Sequence, residues 1–282
     1  MAVVLALCSA LAYGLSDFLG GILSRRTSAW SVAVVGALSS TVCTGLVALV
    51  VPGTPTGTDL AWGVLAGVGA GAGTGFLYRG FSSGRMAVVA PVSAVGAAVV
   101  PALVGTLGGE RLTLLVWIGL AAALPGIWLV SSSPDDPIAP VGARESLAAG
   151  LVDGVLAGLG FGVLFAALGQ IPDEAGWWPL TLSQAVSVPA VALLATALCA
   201  DWVPRGRTVR LAVLCGPLGA AATGLFLLAT QRGFLTVAGV LTSLYPASTV
   251  LLAAVVLKER VHRAQGVGLA LCAVAVACVA AG

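Results

Sequence analysis

The chain has 282 residues, of which 59% are hydrophobic and only 9% charged. A soluble domain carries about a quarter charged residues, so a water-facing surface is excluded and lipid is the expected solvent. The net charge of +2 comes without a basic stripe and His262 is the sole histidine, which argues against nucleic acid and against a histidine-based metal site or triad; no cofactor is expected.

Apolar runs of about 20 residues match the thickness of the hydrocarbon layer. They fall at 2–22, 29–51, 60–79, 86–107, 112–131, 147–169, 177–199, 209–230, 237–257 and 264–281. Met1–Ala12 has no positive n-region, so it reads as part of a retained first span and not as a leader. Short connectors marked by Pro, Gly and charge separate the runs. The longest, Ser131–Ser146, divides the chain near its middle.

In the first span, Ser9, Tyr13, Ser16, Asp17 and Gly20 share one helical face. Asp17 lies about 12 Å before Arg25 at ~1.5 Å per residue. An ionised acid near the bilayer centre costs on the order of 3 kcal/mol, so the bundle interior is its expected environment. Two readings stand: a proton carrier or counter-ion for an amine, or a structural ion pair or cap. Arg79 ends the third span on the same side, where it can pair with Asp17 or reach the headgroups. For Asp153, capping or hydration competes with a place on the transport path.

The third and sixth spans carry glycine faces, Gly67-Gly71-Gly75 and Gly154-Gly158-Gly162, which suit close helix packing and, as a second option, homodimer contact. Gly67–Gly75 follows no strand and lacks a GK[ST] ending, so it is not a phosphate loop. Pro91, Pro101, Pro189, Pro217 and Pro246 interrupt spans, as hinges or as static kinks. Tyr78, Gln184, Gln231 and Tyr245 place hydrogen-bonding groups in or at the ends of spans. Thr242, Tyr245 and Thr249 share a face of the ninth. Glu110-Arg111 and Lys258-Glu259-Arg260 sit at short turns, for local ion pairing or gate closure. The six cysteines lie in or beside apolar runs and behave as small hydrophobes. Trp62, Trp117, Trp128, Trp177, Trp178 and Trp202 lie mostly near span ends, as interface anchors do.

The two halves match at a shift of 149 residues. Thr74-Gly75 recurs as Thr223-Gly224, Gly84 as Gly233, Glu110-Arg111 as Glu259-Arg260, and Gly119–Ala121 as Gly268–Ala270. Tyr13-Gly14 pairs with Phe161-Gly162 at a shift of 148. Five spans per half turn the second copy upside down relative to the first, the inverted-repeat plan of many secondary transporters. The fold class is therefore an all-α integral membrane protein of ten transmembrane helices in two inverted five-helix repeats. The repeats cover residues 1–132 and 147–282, with a linker at 133–146. Of the 13 basic residues, all but Arg111 and Arg232 fall on the odd-numbered connectors, which places that side in the cytoplasm and both termini outside.

The ends of the halves, PVSAVGAAVVPALVGTLGGERLT at 91–113 and SLYPASTVLLAAVVLKERVHRAQGVGLAL at 243–271, and the opening AYGLSDFLGGILSRR at 12–26, resemble the drug/metabolite transporter superfamily in its ten-span EamA branch. The resemblance covers nearly the whole chain as two copies. It implies a central cavity and alternating-access movement of small metabolites, chiefly export, with no catalytic set. Family members usually keep both termini in the cytoplasm, whereas the charge bias here points the other way. Tyr13, Asp17, Tyr78, Arg79, Phe161, Gln184, Gln231 and Tyr245 are the candidate cavity residues. The expected activity is secondary transport, in the cell membrane, of a small organic metabolite, amino acid or drug, with proton coupling as one option and a monomer or homodimer as the working unit. A lipid-headgroup flippase, a scaffold and a membrane-embedded enzyme are the alternatives. The last would need a nucleophile–base pair or metal cluster that the spans do not offer.

Overall fold

The computed structural model describes residues 1–83, 86–131, 143–248 and 263–281. Gly84, Arg85, most of the central connector, Thr249 and Lys258-Glu259-Arg260 with His262 lie outside the described residues. The described chain forms ten helices: α1 (Ala2–Ser24), α2 (Ala29–Val50), α3 (Gly57–Ser82), α4 (Met86–Leu107), α5 (Leu114–Ser131), α6 (Ala143–Leu168), α7 (Trp178–Ala197), α8 (Arg207–Thr230), α9 (Leu235–Ser248) and α10 (Arg263–Ala281). Seven of them, α1–α4 and α6–α8, are long and apolar enough to cross a membrane, while α5, α9 and α10 are apolar but shorter over the described residues. The protein is a multi-pass membrane protein.

Local chemistry sets the helix ends. Thr56 and Asp59 form a reciprocal capping box at the start of α3, with Asp59 Oδ2 accepting from Thr56 N at 2.8 Å. Ser28 opens α2, and its hydroxyl also reaches the Asp201 carbonyl across the molecule. No side chain of its own caps α9, and Glu110 from the α4–α5 turn supplies the acceptors. Its two oxygens accept from Leu235 N at 2.5 Å and Thr236 N at 3.1 Å. Pro217 removes the N–H that would bond the Val213 carbonyl, and Ser39 Oγ donates to that carbonyl at 2.8 Å, so this proline is a satisfied, static element. Pro246 cannot continue the ladder of α9. The helix turns at Ser243–Leu244, with Ala247 N bonding Leu244 O at 2.9 Å.

Leu11, Leu38, Leu46 and Leu49 are exposed on the outside of the bundle, so apolar side chains face both inward and outward, as a lipid-solvated helix requires. Close packing and interhelical hydrogen bonds then hold the helices together, since lipid is as apolar as leucine. Phe165 stacks on Phe226 with ring centroids 4.4 Å apart, and Tyr13 meets Phe165 edge-on at 5.6 Å. Ser9 donates to the Ala222 carbonyl at 2.7 Å and Ser248 to the Ala10 carbonyl at 2.9 Å.

The glycine faces serve packing within the chain. Gly63, Gly67 and Gly71 of α3 meet Pro179, Ser183 and Ser187 of α7 in the same order, so these helices run parallel. Gly69 and Gly73 meet Leu164 and Phe161 of α6 in reverse order. Gly154, Gly158 and Gly162 of α6 follow Val92, Ser93 and Val100 along α4. All are buried, which leaves neither face free for a second copy. Several of the largest helix contacts have a mate at the matched position of the other half: α3 with α6 and α8 with α1, α4 with α6 and α9 with α1, α3 with α7 and α8 with α2. The likeness extends to side chains. The Trp30 ring lies over Gly75, 2.6 Å from where a Cβ would sit, and the Trp177 ring lies over Gly224 at 2.5 Å.

Candidate functional site

A cavity of about 70 Å³ opens among α1, α2, α3, α6, α7 and α8. It has room for a few waters as it stands. Its lining falls into pairs one repeat apart: Tyr13 with Phe161, Ser16 with Leu164, Ala37 with Gln184, Ser40 with Ser187, Ala70 with Gly219 and Thr74 with Thr223. The shift is 148 for α1 and α6, 147 for α2 and α7, and 149 for α3 and α8. The cavity therefore sits where the two halves face each other. Seven lining residues have no mate in the lining, among them Asp17, Tyr78 and Cys215, whose counterparts are Phe165, Leu227 and Ala66.

Helix α1 brings Tyr13, Ser16 and Asp17 to this wall through the face read from their spacing. Asp17 is 7% exposed, and no ion pair or hydrogen bond reaches its carboxylate among the described residues. Gly20 leaves room for the Tyr78 hydroxyl, which lies where a Cβ would be. Ser16 Oγ donates to the Cys215 carbonyl at 3.4 Å. Gln184 Nε2 donates to Thr223 Oγ1 at 3.1 Å, and Thr223 Oγ1 donates to the Gly219 carbonyl at 2.8 Å. With the threonine proton spent on a carbonyl, the amide must be the donor, which turns Gln184 Oε1 into the free acceptor. Tyr13 Oη and Ser40 Oγ are buried without a partner among the described residues.

Of the eight candidates, Tyr13, Asp17, Tyr78, Phe161 and Gln184 line this one cavity. The other three lie elsewhere. Arg79 does not pair with Asp17: its guanidinium joins Asp153 of α6, 2% exposed, and sits 4.8 Å over the Phe76 ring. Gln231 ends α8 and donates to the Pro172 carbonyl at 3.3 Å. Tyr245 is buried behind Tyr13, with its hydroxyl 2.8 Å from Ser93 Oγ; the turn at Ser243–Leu244 interrupts the face it shares with Thr242, and Thr249 lies outside the described residues. Thr242 itself reaches the Ala6 carbonyl at 3.4 Å. Glu110 caps α9 and makes no ion pair among the described residues. Ser40, Thr74, Ser187, Cys215 and Thr223 line the cavity and were not among the candidates. The signal for four of them was the repeat itself, since Ser40/Ser187 and Thr74/Thr223 are polar residues kept at matched positions.

A larger crevice of about 490 Å³ lies at the opposite end of α3, among Trp62, Leu65, Val104 and Gln170. Its one acid, Glu110, has both oxygens engaged by α9, so the smaller cavity holds the available chemistry.

Comparison with known proteins agrees with this architecture. The sequence matches the EamA-like transporter family twice, over residues 1–132 and 146–281. No curated protein matches it. A solved structure titled only "Crystal structure of protein" superposes with a TM-score of 0.72 at 17% identity, over 98% of this chain and 95% of the other, a likeness of fold. With nearly its whole length matched as two repeats, the chain belongs to the EamA-like transporter family.

Proposed function

We propose that the protein is a ten-span secondary transporter in which two inverted five-helix halves, residues 1–132 and 147–282 joined by 133–146, give alternating access to the central cavity. The observation that carries this reading is the cavity lining, drawn in matched pairs from three helices of each half. Helix directions support the inversion. Helix α6 runs along α4, α4 meets α9 in reverse order through Ser93–Tyr245 and Pro101–Gly239, and α9 runs along α1, so α1 and α6 point in opposite senses.

Contacts between the halves lie at both ends. Arg79–Asp153 and Ser28–Asp201 hold one end, and Glu110–Leu235 and Thr54–Glu174 hold the other. Opening one set while the other stays shut exposes the cavity to each side in turn. The cargo is a small organic molecule, export is the working direction, and Asp17 is the group able to carry a proton. Reconstitution into liposomes with labelled amines, amino acids and drugs, with and without a pH gradient, tests this. Saturable uptake above that of empty liposomes is expected; uptake identical to empty liposomes across the panel overturns it.

A further inference from the structure

The cavity has a charge and a donor–acceptor pattern. Asp17 is its only charged lining residue, and no Lys, Arg or His faces it among the described residues. The groups that face a guest are the Asp17 carboxylate, Gln184 Oε1 and the hydroxyls of Tyr13, Ser40, Thr74 and Tyr78, of which the first two only accept. The walls between them are the rings of Tyr13, Tyr78 and Phe161, whose faces attract cations.

We propose that this cavity selects small organic amines that carry no carboxylate, with Asp17 as counter-charge and Gln184 Oε1 as a second acceptor for the ammonium hydrogens. A carboxylate on the guest would enter a buried site with no positive partner, at the full desolvation cost of an unpaired ion. This disfavours anions and zwitterionic amino acids. Ala33, Leu164 and Val191 complete the wall and give the guest an apolar surface to rest on. Asp17 has Phe165 as its counterpart and Gln184 has Ala37, so the recognition groups are those that depart from the two-fold pattern.

The inference rests on the cavity being the transport site, and its test separates the two. Equilibrium dialysis of the full-length protein in detergent would compare labelled butylamine, butanol, butyrate and norvaline, a series of similar size. Butylamine should bind at least about tenfold tighter than the other three. In Asp17→Asn that preference should vanish while butanol binding is unchanged, a pattern that simple misfolding would not give. If the Asn variant does not accumulate, the wild-type series decides alone, with Asp17→Glu expected to keep the order of affinities. Norvaline or butyrate matching butylamine overturns the proposal and leaves the transporter reading intact, as does the absence of any amine binding alongside uptake of other solutes. Asp17-dependent amine binding in a protein whose liposomes stay inert keeps the site and removes the transport.

Discussion

Arg79 holds Asp153 across the boundary between the two halves: Nε donates to Oδ1 at 2.8 Å, and Nη2 reaches the same oxygen. The acid is 2% exposed and the arginine side chain 32%. Breaking the pair from the arginine side therefore takes a charged partner from a buried acid, whereas breaking it from the acid side leaves a charge that water can reach. Arg79→Ala should destabilise more than Asp153→Asn, with the arginine loss costing about 3 kcal/mol. Thermal melts in detergent of both single variants and the double variant check this. A coupling within about 0.5 kcal/mol of zero would mark the contact as incidental.

The mirrored ring-on-glycine contacts predict matched defects. A Cβ at Gly75 would meet Trp30, and one at Gly224 would meet Trp177, at nearly equal distances. Gly75→Ala and Gly224→Ala should each cost about 1–3 kcal/mol through overpacking. In both sites the offending atoms belong to the six-membered part of the indole, so Trp30→Phe and Trp177→Phe should each recover part of the loss in their own half. Melting temperatures of the four single and four double variants, two within and two across halves, decide it; rescue across halves would contradict the assignment.

The two halves are not equivalent at the cavity threonines. Thr223 accepts from buried Gln184, while Ala37 stands where Thr74 would need an amide. Thr223→Val leaves the amide without its acceptor, at a cost of about 1–3 kcal/mol. Thr74→Val should be milder. Equal losses in unfolding measurements would show that the Gln184–Thr223 bond contributes nothing.

These contrasts show what the sequence could and could not disclose. The spans were legible because apolar run length is set by the bilayer. The repeat was legible where it preserved chemistry, as in Thr74-Gly75 and Thr223-Gly224. Asp17 stood out as an isolated charge, and its helical face led to Tyr13. Arg79 was misplaced because its partner lies 74 positions away on a helix whose rotation no local pattern fixes. Tyr245 was misplaced because face-sharing assumes an unbroken helix, and Pro246 removes that premise. The cavity serines were passed over because a small hydroxyl in a span usually bonds its own backbone, and only the shift of 147 between α2 and α7 singles out Ser40 and Ser187.

Glu110 links the α4–α5 turn to the start of α9 and thereby joins the halves at the end opposite Arg79. Glu110→Ala removes both acceptors and a negative charge at a helix N-terminus, and should cost about 1–2 kcal/mol. Hydrogen exchange should quicken first at the Leu235 and Thr236 amides, before any change near the Arg79 end. Uniform acceleration over the whole chain would instead indicate general loss of the fold.

Orientation in the membrane follows from which connectors carry the charge. Arg25 and Arg26 flank Ser28, and Arg205, Arg207 and Arg210 follow Asp201, on the end where those two connectors touch. Thr54 and Glu174 meet at the other end, with no basic residue in either connector. The positive-inside rule then predicts that Asp201 faces the cytoplasm and Thr54 the outside. Both residues are exposed, so each can report through a cysteine in an otherwise cysteine-free chain. A membrane-impermeant maleimide applied to intact cells should label Thr54→Cys at once and Asp201→Cys only after permeabilisation. A reporter active only in the cytoplasm, fused at Gly282, should stay silent. The opposite labelling order, with an active reporter, would invert the assignment, and the Arg79–Asp153 contact would then close the outer end of the path instead of the inner one.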